Sequence, residues 1–321
     1  MRAKSRQCKL SQLLRMSLLL DRILAFTIAL ATVMPGAAQS ERKDVRFQLH
    51  NGYLIVVKGS IGELKNLSFV IDTGSYRSVL DERIVRKLHL KSAGSVEDLA
   101  LNHVVEMDGV LIPNLSWGGI TVASLNVLVA DLSPISRYTG IHEDLVLGLD
   151  ILRQASFQVD FKSRRIHFGG NQEPENSIPF MPNVPYLIVE TIIDGHSERL
   201  LVDTGTDSLS VLADRLPIER QSLRMVGVGR DIIGAFPYTR LAVKQVLLGN
   251  SEVCSAAVFS VPTIPESRFD GNLAPRILGA SKIYFDFERW RFGWDKRKGH
   301  ADRCAPVTRT AESVASTLNH R

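Results

Sequence analysis

Short hydrophobic runs at close spacing dominate most of the chain. Residues 45–49 alternate apolar and polar side chains, whereas residues 53–57 form a continuous apolar run. Alternation is typical of a half-buried β-strand, and a short apolar run is typical of a fully buried one. Further runs that favour strands are 157–161, 165–168, 242–248, 256–261, 283–287 and 291–294. Helical signals are few and short, at 81–88, 149–153 and 213–216. The pattern therefore predicts a mostly β protein with small helices.

An acidic tetrapeptide follows two of the apolar runs. The two copies are Asp72-Thr73-Gly74-Ser75 and Asp203-Thr204-Gly205-Thr206. The runs before them, at 67–71 and 200–202, predict buried strands, and the glycine in each copy favours a tight turn. Each copy thus predicts a strand that ends in a turn presenting one carboxylate. Two carboxylates on equivalent turns can meet and share one proton, which prepares a water molecule for attack.

Segments around the tetrapeptides repeat at nearly the same interval. Asp72 and Asp203 are 131 residues apart, as are Leu147-Gly148 and Leu278-Gly279, and as are 136–140 and 267–271. Residues 78–80 return as 210–212, one residue later than that interval. Two copies are too few for a solenoid, so the repeat predicts a tandem duplication with two lobes facing one another. The predicted domains are an N-terminal lobe at 39–170, a linker at 171–183, a C-terminal lobe at 184–298 and a flexible tail at 299–321.

The first 38 residues predict a secretory signal peptide. A basic start precedes the apolar stretch 23–34, and Gly36 and Ala38 supply the small residues of a cleavage site. We therefore expect an exported protein, periplasmic or secreted, that begins near Gln39 and has no membrane segment after leader cleavage. The alternative is an uncleaved anchor, although the apolar stretch is short for a membrane span.

Charge and cysteine content narrow the function classes. The whole chain has a net charge of +5, and the basic leader accounts for all of it, so the remainder gives no sign of a nucleic-acid partner. Cys8 lies in the leader, which leaves Cys254 and Cys304. An even cysteine count in an exported chain predicts one disulfide between them. The alternative is two unpaired cysteines, with Cys254 buried in a strand.

The residues around the first tetrapeptide resemble the aspartic peptidase family, in particular its retropepsin-like members. The resemblance rests on residues 69–75, with 78–80 behind them and Leu147-Gly148 closing the lobe. The segments 147–152 and 159–161 look like the bacterial branch of that group. The presence of both tetrapeptides in one chain is similar to the arrangement in pepsins. The resemblance extends over about 45–297. It implies two pseudo-symmetric acid-protease β-barrel lobes with an active-site cleft between them.

The resemblance also implies roles for the tetrapeptide residues. Asp72 and Asp203 would form the catalytic dyad. Thr73 and Thr204 would sit back to back and hydrogen-bond the backbone of the opposite loop.

The remaining tetrapeptide residues would support the carboxylates. Gly74 and Gly205 would allow backbone N–H groups to approach them. Ser75 and Thr206 would donate their hydroxyls to the outer carboxylate oxygens.

The resemblance also extends to elements outside the tetrapeptides. Leu147-Gly148 and Leu278-Gly279 would pack beneath the loops as interlocking psi-shaped elements. Candidate flaps over the cleft are 101–110 and 226–238. The second is rich in glycine, as expected of a mobile hairpin.

The chemistry of a carboxylate dyad agrees with this resemblance. One ionised carboxylate takes a proton from water while its protonated partner donates to the carbonyl oxygen of a peptide bond. This chemistry needs no metal and no cofactor, and the histidines are scattered without ligand spacing. A Gly-x-Ser-x-Gly motif of serine hydrolases is absent. The sequence therefore predicts an aspartic endopeptidase that acts on peptides or proteins as a monomer. The alternative is a non-catalytic peptide-binding protein with a protease-like fold.

Overall fold

The structure is a computed structural model that describes residues 44–100, 103–169, 172–182, 184–215, 225–230, 234–253, 257–264 and 267–297. Several predicted features lie outside the described residues. These are the signal peptide, both cysteines of the predicted disulfide, Cys254 and Cys304, the tail at 299–321, and parts of the linker and of both candidate flaps.

The described chain consists mostly of β-strands, which confirms the predicted fold class. The strands of its first half are β1 Val45–His50, β2 Leu54–Ile61, β3 Leu64–Ile71, β4 Val79–Asp81, β5 Ser92–Ala100, β6 His103–Trp117, β7 Ile120–Ala130, β8 Leu145–Leu147, β9 Phe157–Asp160, β10 Arg165–Phe168 and β11 Asn176–Pro179. The strands of its second half are β12 Ile188–Ile193, β13 His196–Val202, β14 Leu209–Leu212, β15 Met225–Arg230, β16 Ala235–Leu241, β17 Val246–Leu248, β18 Ser251–Glu252, β19 Val258–Val261, β20 Gly271–Leu273, β21 Ala280–Asp286 and β22 Arg291–Lys296.

These strands form two large sheets. The first sheet has 13 strands in the order β11-β22-β21-β9-β10-β1-β2-β3-β8-β4-β7-β6-β5. The second has nine strands in the order β15-β16-β19-β14-β20-β13-β12-β17-β18. The last two strands of the chain belong to the first sheet, where β21 pairs with β9 and β22 pairs with β11. The C-terminal strands thus join a sheet that is built mainly by the first half of the chain.

Helices are short, as the sequence predicts. They are α1 Glu82–Lys87, α2 Ser133–Thr139, α3 Leu149–Leu152 and a 3₁₀ turn at Pro275–Leu278. α1 and α3 match the predicted helices at 81–88 and 149–153, whereas α2 is not predicted by the pattern. The helix predicted at 213–216 is wrong for its described part, because 213–215 form a turn. There the Ala213 N–H donates to Val261 O on the neighbouring strand β19, so the backbone extends the pairing of β14 with β19 and does not begin a helix.

The two acidic loops follow equivalent strands. β3 pairs in parallel with β8, and β13 pairs in parallel with β20. The Asp72 N–H donates to Leu147 O at 3.0 Å, and the Asp203 N–H donates to Leu273 O at 3.0 Å. Leu273 is therefore the counterpart of Leu147. The repeat predicts Leu278-Gly279 at this place, and that prediction is wrong.

A shorter connection in the second half explains the difference. The Asp81 N–H donates to Asp144 O, and the Leu212 N–H donates to Asp270 O. Asp144 and Asp270 are thus counterparts, although they are closer together in sequence than the two acidic loops. Equivalent positions are therefore no longer 131 residues apart from Asp270 onward, just before β20.

Two other sequence matches also differ from the structure. The run 136–140 lies in α2 and its C-terminal cap, where Gly140 has φ +77°, whereas Gly271 in the run 267–271 begins β20. The match of 78–80 to 210–212 is also shifted by one residue in the structure. Val79 pairs with Val146 and Ser210 pairs with the equivalent Asn272, so Ser210 is the counterpart of Val79, at the interval of 131. The similar residues at 136–140 and 267–271 therefore do not have equivalent structures.

A buried carboxyl group lies in the sheet that carries the second acidic loop. Glu198 is 4% exposed and faces Thr191 across β12 and β13. Burial, and after it the negative charge of Asp270, raise the pKa of Glu198 from 4.5 to about 7. Arg199 and Arg215 pair with Asp270, at 3.0 and 3.5 Å.

This raised pKa predicts a pH-dependent stability. Between pH 4.5 and 7 the folded chain holds a proton on Glu198 that the unfolded chain releases, so the free energy of unfolding falls as pH rises. In Glu198→Gln the free energy of unfolding should decrease less over this pH range, by about 1–2 kcal/mol after allowance for solvent screening, because the amide does not titrate. Urea unfolding at several pH values measures it. The exposed control Glu63→Gln should behave as wild type, and a Glu198→Gln variant that also follows the wild-type curve would contradict the assignment.

Candidate active site

The two acidic loops meet face to face. A Cβ atom added to Gly74 would lie 2.4 Å from Cγ of Asp203, and one added to Gly205 would lie 2.9 Å from Cγ of Asp72. Each carboxyl group therefore packs against the glycine of the opposite loop, and any side chain at either glycine would displace it. The predicted dyad residues are brought together at this point.

Backbone and side-chain donors hold the Asp72 carboxylate. The Gly74 N–H donates to its Oδ1 at 2.8 Å, and the Ser75 hydroxyl donates to its Oδ2 at 2.8 Å. This is the arrangement that the resemblance implies for the first loop.

The second loop differs at the outer oxygen. The Gly205 N–H donates to Asp203 Oδ1 at 2.8 Å, as in the first loop, but Asp203 Oδ2 accepts a bond of 3.0 Å from the side-chain amide of Asn272. The resemblance predicts the Thr206 hydroxyl as this donor. Among the hydrogen bonds of the described residues, Thr206 contributes its backbone N–H to Asp203 instead.

Asn272 is a site residue that the sequence analysis misses. It lies on β20 at the position that Val146 occupies on β8, because each directly precedes the leucine that binds the acidic loop. The available signal was a match of Asp144-Leu145-Val146-Leu147 to Asp270-Gly271-Asn272-Leu273, which shares only the aspartate and the last leucine.

The two threonines connect the loops through four hydrogen bonds. Thr73 Oγ1 donates to Val202 O at 2.7 Å and accepts from the Thr204 N–H at 3.2 Å. Thr204 Oγ1 donates to Ile71 O at 2.7 Å and accepts from the Thr73 N–H at 3.0 Å. Both threonines are buried, so each hydroxyl satisfies one donor and one acceptor that cannot reach water.

A second polar pair supports the first loop from behind. The Ser78 N–H and hydroxyl both donate to the Asp150 carboxylate, at 2.9 and 2.6 Å. The Gly148 N–H in turn donates to the Ser78 hydroxyl at 3.0 Å. This chain of bonds ties the start of β4 to the start of α3.

The two carboxyl groups have different surroundings. Asp203 is 9% exposed, whereas Asp72 is partly exposed. Burial, and after it the negative charge of Asp72, raise the pKa of Asp203 well above its ordinary value of 3.8. Both causes favour the protonated form of Asp203, and the two coupled groups together hold the proton.

A cavity of about 430 Å³ adjoins the second loop. Its lining includes Asn272 and residues of the β15–β16 hairpin, which lies in the second candidate flap. In this hairpin, aromatic rings of β16 lie against glycines of β15. A Cβ at Gly227 would be 2.4 Å from the Tyr238 hydroxyl, and one at Gly229 would be 2.5 Å from the Phe236 ring. The described part of the first candidate flap belongs to β6.

In the part of the chain that the structure describes, no group of three or more potential metal ligands occurs. Within the same ranges, no helix has the length and apolar character needed to cross a membrane.

The threonine pair gives a prediction on stability. Thr204→Val keeps the shape of the side chain but leaves Ile71 O and the Thr73 N–H unpaired in a buried place, so it should lower the free energy of unfolding by about 2–4 kcal/mol. Thr204→Ser keeps the hydroxyl and should cost about 1 kcal/mol, from the lost methyl group. Urea denaturation compares the two variants. Equal losses would show that the hydroxyl contributes nothing.

The sequence around the first acidic loop matches one protein family. Residues 57–151 match the family described as aspartyl protease. The match covers the first acidic loop, its supporting Ser78–Asp150 pair and strand β8, but not the second loop. No curated protein matches the chain in sequence. The match supports a protease-type hydrolase, and it is shorter than the range of 45–297 over which the sequence resembles aspartic peptidases.

Proposed function

We propose that this protein is an aspartic endopeptidase in which Asp72 and Asp203 form one catalytic unit. The observation that carries the proposal is that each carboxyl group packs against the glycine of the opposite loop and Asp203 interacts with Asp72, across loops that are hydrogen-bonded to each other. Two carboxyl groups this close cannot both be ionised, so they hold one proton between them. The aspartyl protease match over 57–151 supports the same reaction class.

The different surroundings of the two groups suggest their roles. Asp72, the more exposed group, acts as the general base and removes a proton from a water molecule. The water oxygen then attacks the carbonyl carbon of the peptide bond. Asp203, which retains its proton because it is buried, donates that proton to the carbonyl oxygen.

Collapse of the tetrahedral intermediate completes the reaction. The proton held by Asp72 passes to the amide nitrogen, the C–N bond breaks, and the carbonyl oxygen returns its proton to Asp203. The dyad thereby regains its starting proton. Ser75 and Asn272 keep the two outer oxygens fixed while the inner oxygens exchange protons.

We also propose that the protein acts as a monomer, since one chain supplies both halves of the dyad. The predicted leader supports export to the periplasm or beyond the cell, and the two lobes with their linker are proposed as the working domains. A non-catalytic peptide-binding protein is the alternative outcome of the experiments below.

The direct test replaces each carboxyl group. Asp72→Asn and Asp203→Asn should each reduce peptide cleavage by more than about 1000-fold, because an amide supplies neither the base nor the titrating acid. Mass spectrometry of a peptide library after incubation measures cleavage. Asp214→Asn changes an aspartate whose side chain is 48% exposed and should keep wild-type activity. Near-wild-type activity in either dyad variant would reject the aspartic mechanism.

The raised pKa of Asp203 predicts the pH range of activity. The reaction needs a dyad with one proton, so kcat/KM should fall as pH rises through the upper pKa of the pair. Because that pKa lies well above 3.8, activity should persist at pH values where an ordinary aspartic acid has already lost its proton. A kcat/KM profile measured across the acid and neutral range checks this. A decline centred near pH 4 would contradict it.

A further inference from the structure

The cavity beside Asp203 has a packed counterpart in the first half of the chain. Strand register pairs three positions of the two halves: Val79 with Ser210, Val146 with Asn272, and Leu128 with Phe259. Met107 and Tyr238 form a fourth pair, because each lies two residues before the residue that pairs with Leu128 or Phe259. In the first half Val79, Leu128 and Val146 belong to a small buried core with Leu132, and Met107 packs against it. In the second half the same four positions line the open cavity of about 430 Å³.

Two of the four replacements introduce polar groups next to the dyad. Ser210 and Asn272 take the place of valines, and Asn272 also donates to Asp203. The Oδ1 atom of Asn272 is buried and has no hydrogen-bond partner among the described residues. A buried acceptor without a partner costs free energy, so a donor from a bound group would stabilise it.

The rest of the lining defines the shape of that bound group. Phe236, Tyr238 and Phe259 provide aromatic surface, which favours a flat apolar ring. Arg230, Arg276 and Asp207 also line the cavity. Asp207 pairs with Arg276 at 3.9 Å, which leaves Arg230 to disfavour a cationic side chain. The cavity is larger than any single side chain, so the largest side chains can enter.

We propose that this cavity is a substrate side-chain pocket that selects tyrosine over phenylalanine, because a tyrosine hydroxyl donates to Asn272 Oδ1. The inference rests on the proposed peptidase function and adds the substrate class. Asn272 is then both a positioning residue, through its bond to Asp203, and the specificity-determining residue of the pocket.

The experiment compares two peptides that differ only in tyrosine or phenylalanine. Library cleavage by the wild-type protein first identifies the position beside the cleaved bond at which aromatic residues are selected. Wild-type kcat/KM should then favour the tyrosine peptide by at least about tenfold, because the phenylalanine peptide leaves the buried acceptor unpaired.

Variants at Asn272 separate selection from positioning. Asn272→Val, which introduces the residue of the first half, should bring the ratio of the two peptides close to one. Asn272→Asp keeps an acceptor but places a third carboxyl group against Asp203, which redistributes the protons of the dyad, so it should lower kcat for both peptides while keeping the tyrosine preference. The control Val146→Ala changes the equivalent position of the first half and should keep the wild-type ratio.

Binding to the Asp72→Asn variant separates this inference from the proposed function. That variant should bind the tyrosine peptide more tightly than the phenylalanine peptide, even though it does not cleave either. If the wild-type protein cleaves both peptides equally, or prefers an acidic or cationic side chain at this position, the tyrosine pocket is wrong and the peptidase function stands. If the wild-type protein cleaves neither peptide but the Asp72→Asn variant still binds the tyrosine peptide more tightly, the proposed peptidase function is rejected and the tyrosine pocket is supported. Absence of both cleavage and binding would overturn both.

Discussion

The reciprocal hydrogen bonding of Thr73 and Thr204 is the constraint on which the rest of the site depends. Two carboxyl groups repel one another when ionised, so they stay in contact only if the backbone beneath them is fixed. Each threonine hydroxyl binds the backbone of the opposite loop, and each glycine leaves room for the opposite carboxyl group. The acidic loops therefore act as one unit, although the two tetrapeptides are 131 residues apart.

The two halves of the site are built from equivalent strands and loops, and the differences between the halves explain the asymmetry of the site. Ser75 holds the outer oxygen of Asp72, whereas Asn272 holds that of Asp203. One carboxyl group is more exposed and the other is buried, with its pKa raised by that burial. In the proposed reaction the dyad needs a base and an acid at the same time, and unequal surroundings of two carboxyl groups favour such a division of roles. The same differences open a cavity in the second half where the first half has a small apolar core.

The parts of the site that lie next to each other in sequence could be predicted from the sequence. The strand, turn and carboxylate of each tetrapeptide are local, and the mostly β fold follows from short apolar runs. The counterpart of Leu147 could not be predicted, because parallel pairing of β13 with β20 depends on distant hydrogen bonds and not on similar letters. Leu278-Gly279 repeats the letters of Leu147-Gly148 but ends a 3₁₀ turn, and Gly279 adopts φ +57° there. Asn272 was missed for the same reason, since only the register places it beside Asp203.

The proton shared by the dyad is the central claim, and carboxyl carbon NMR tests it most directly. With ¹³C-labelled aspartate, the Cγ signals of Asp72 and Asp203 can be assigned by comparison with the two asparagine variants and followed as a function of pH. A shared proton predicts that both signals shift in both of two titration steps, with the upper step well above the ordinary pKa of aspartate. Two independent single-step titrations, each near 3.8, would contradict the account.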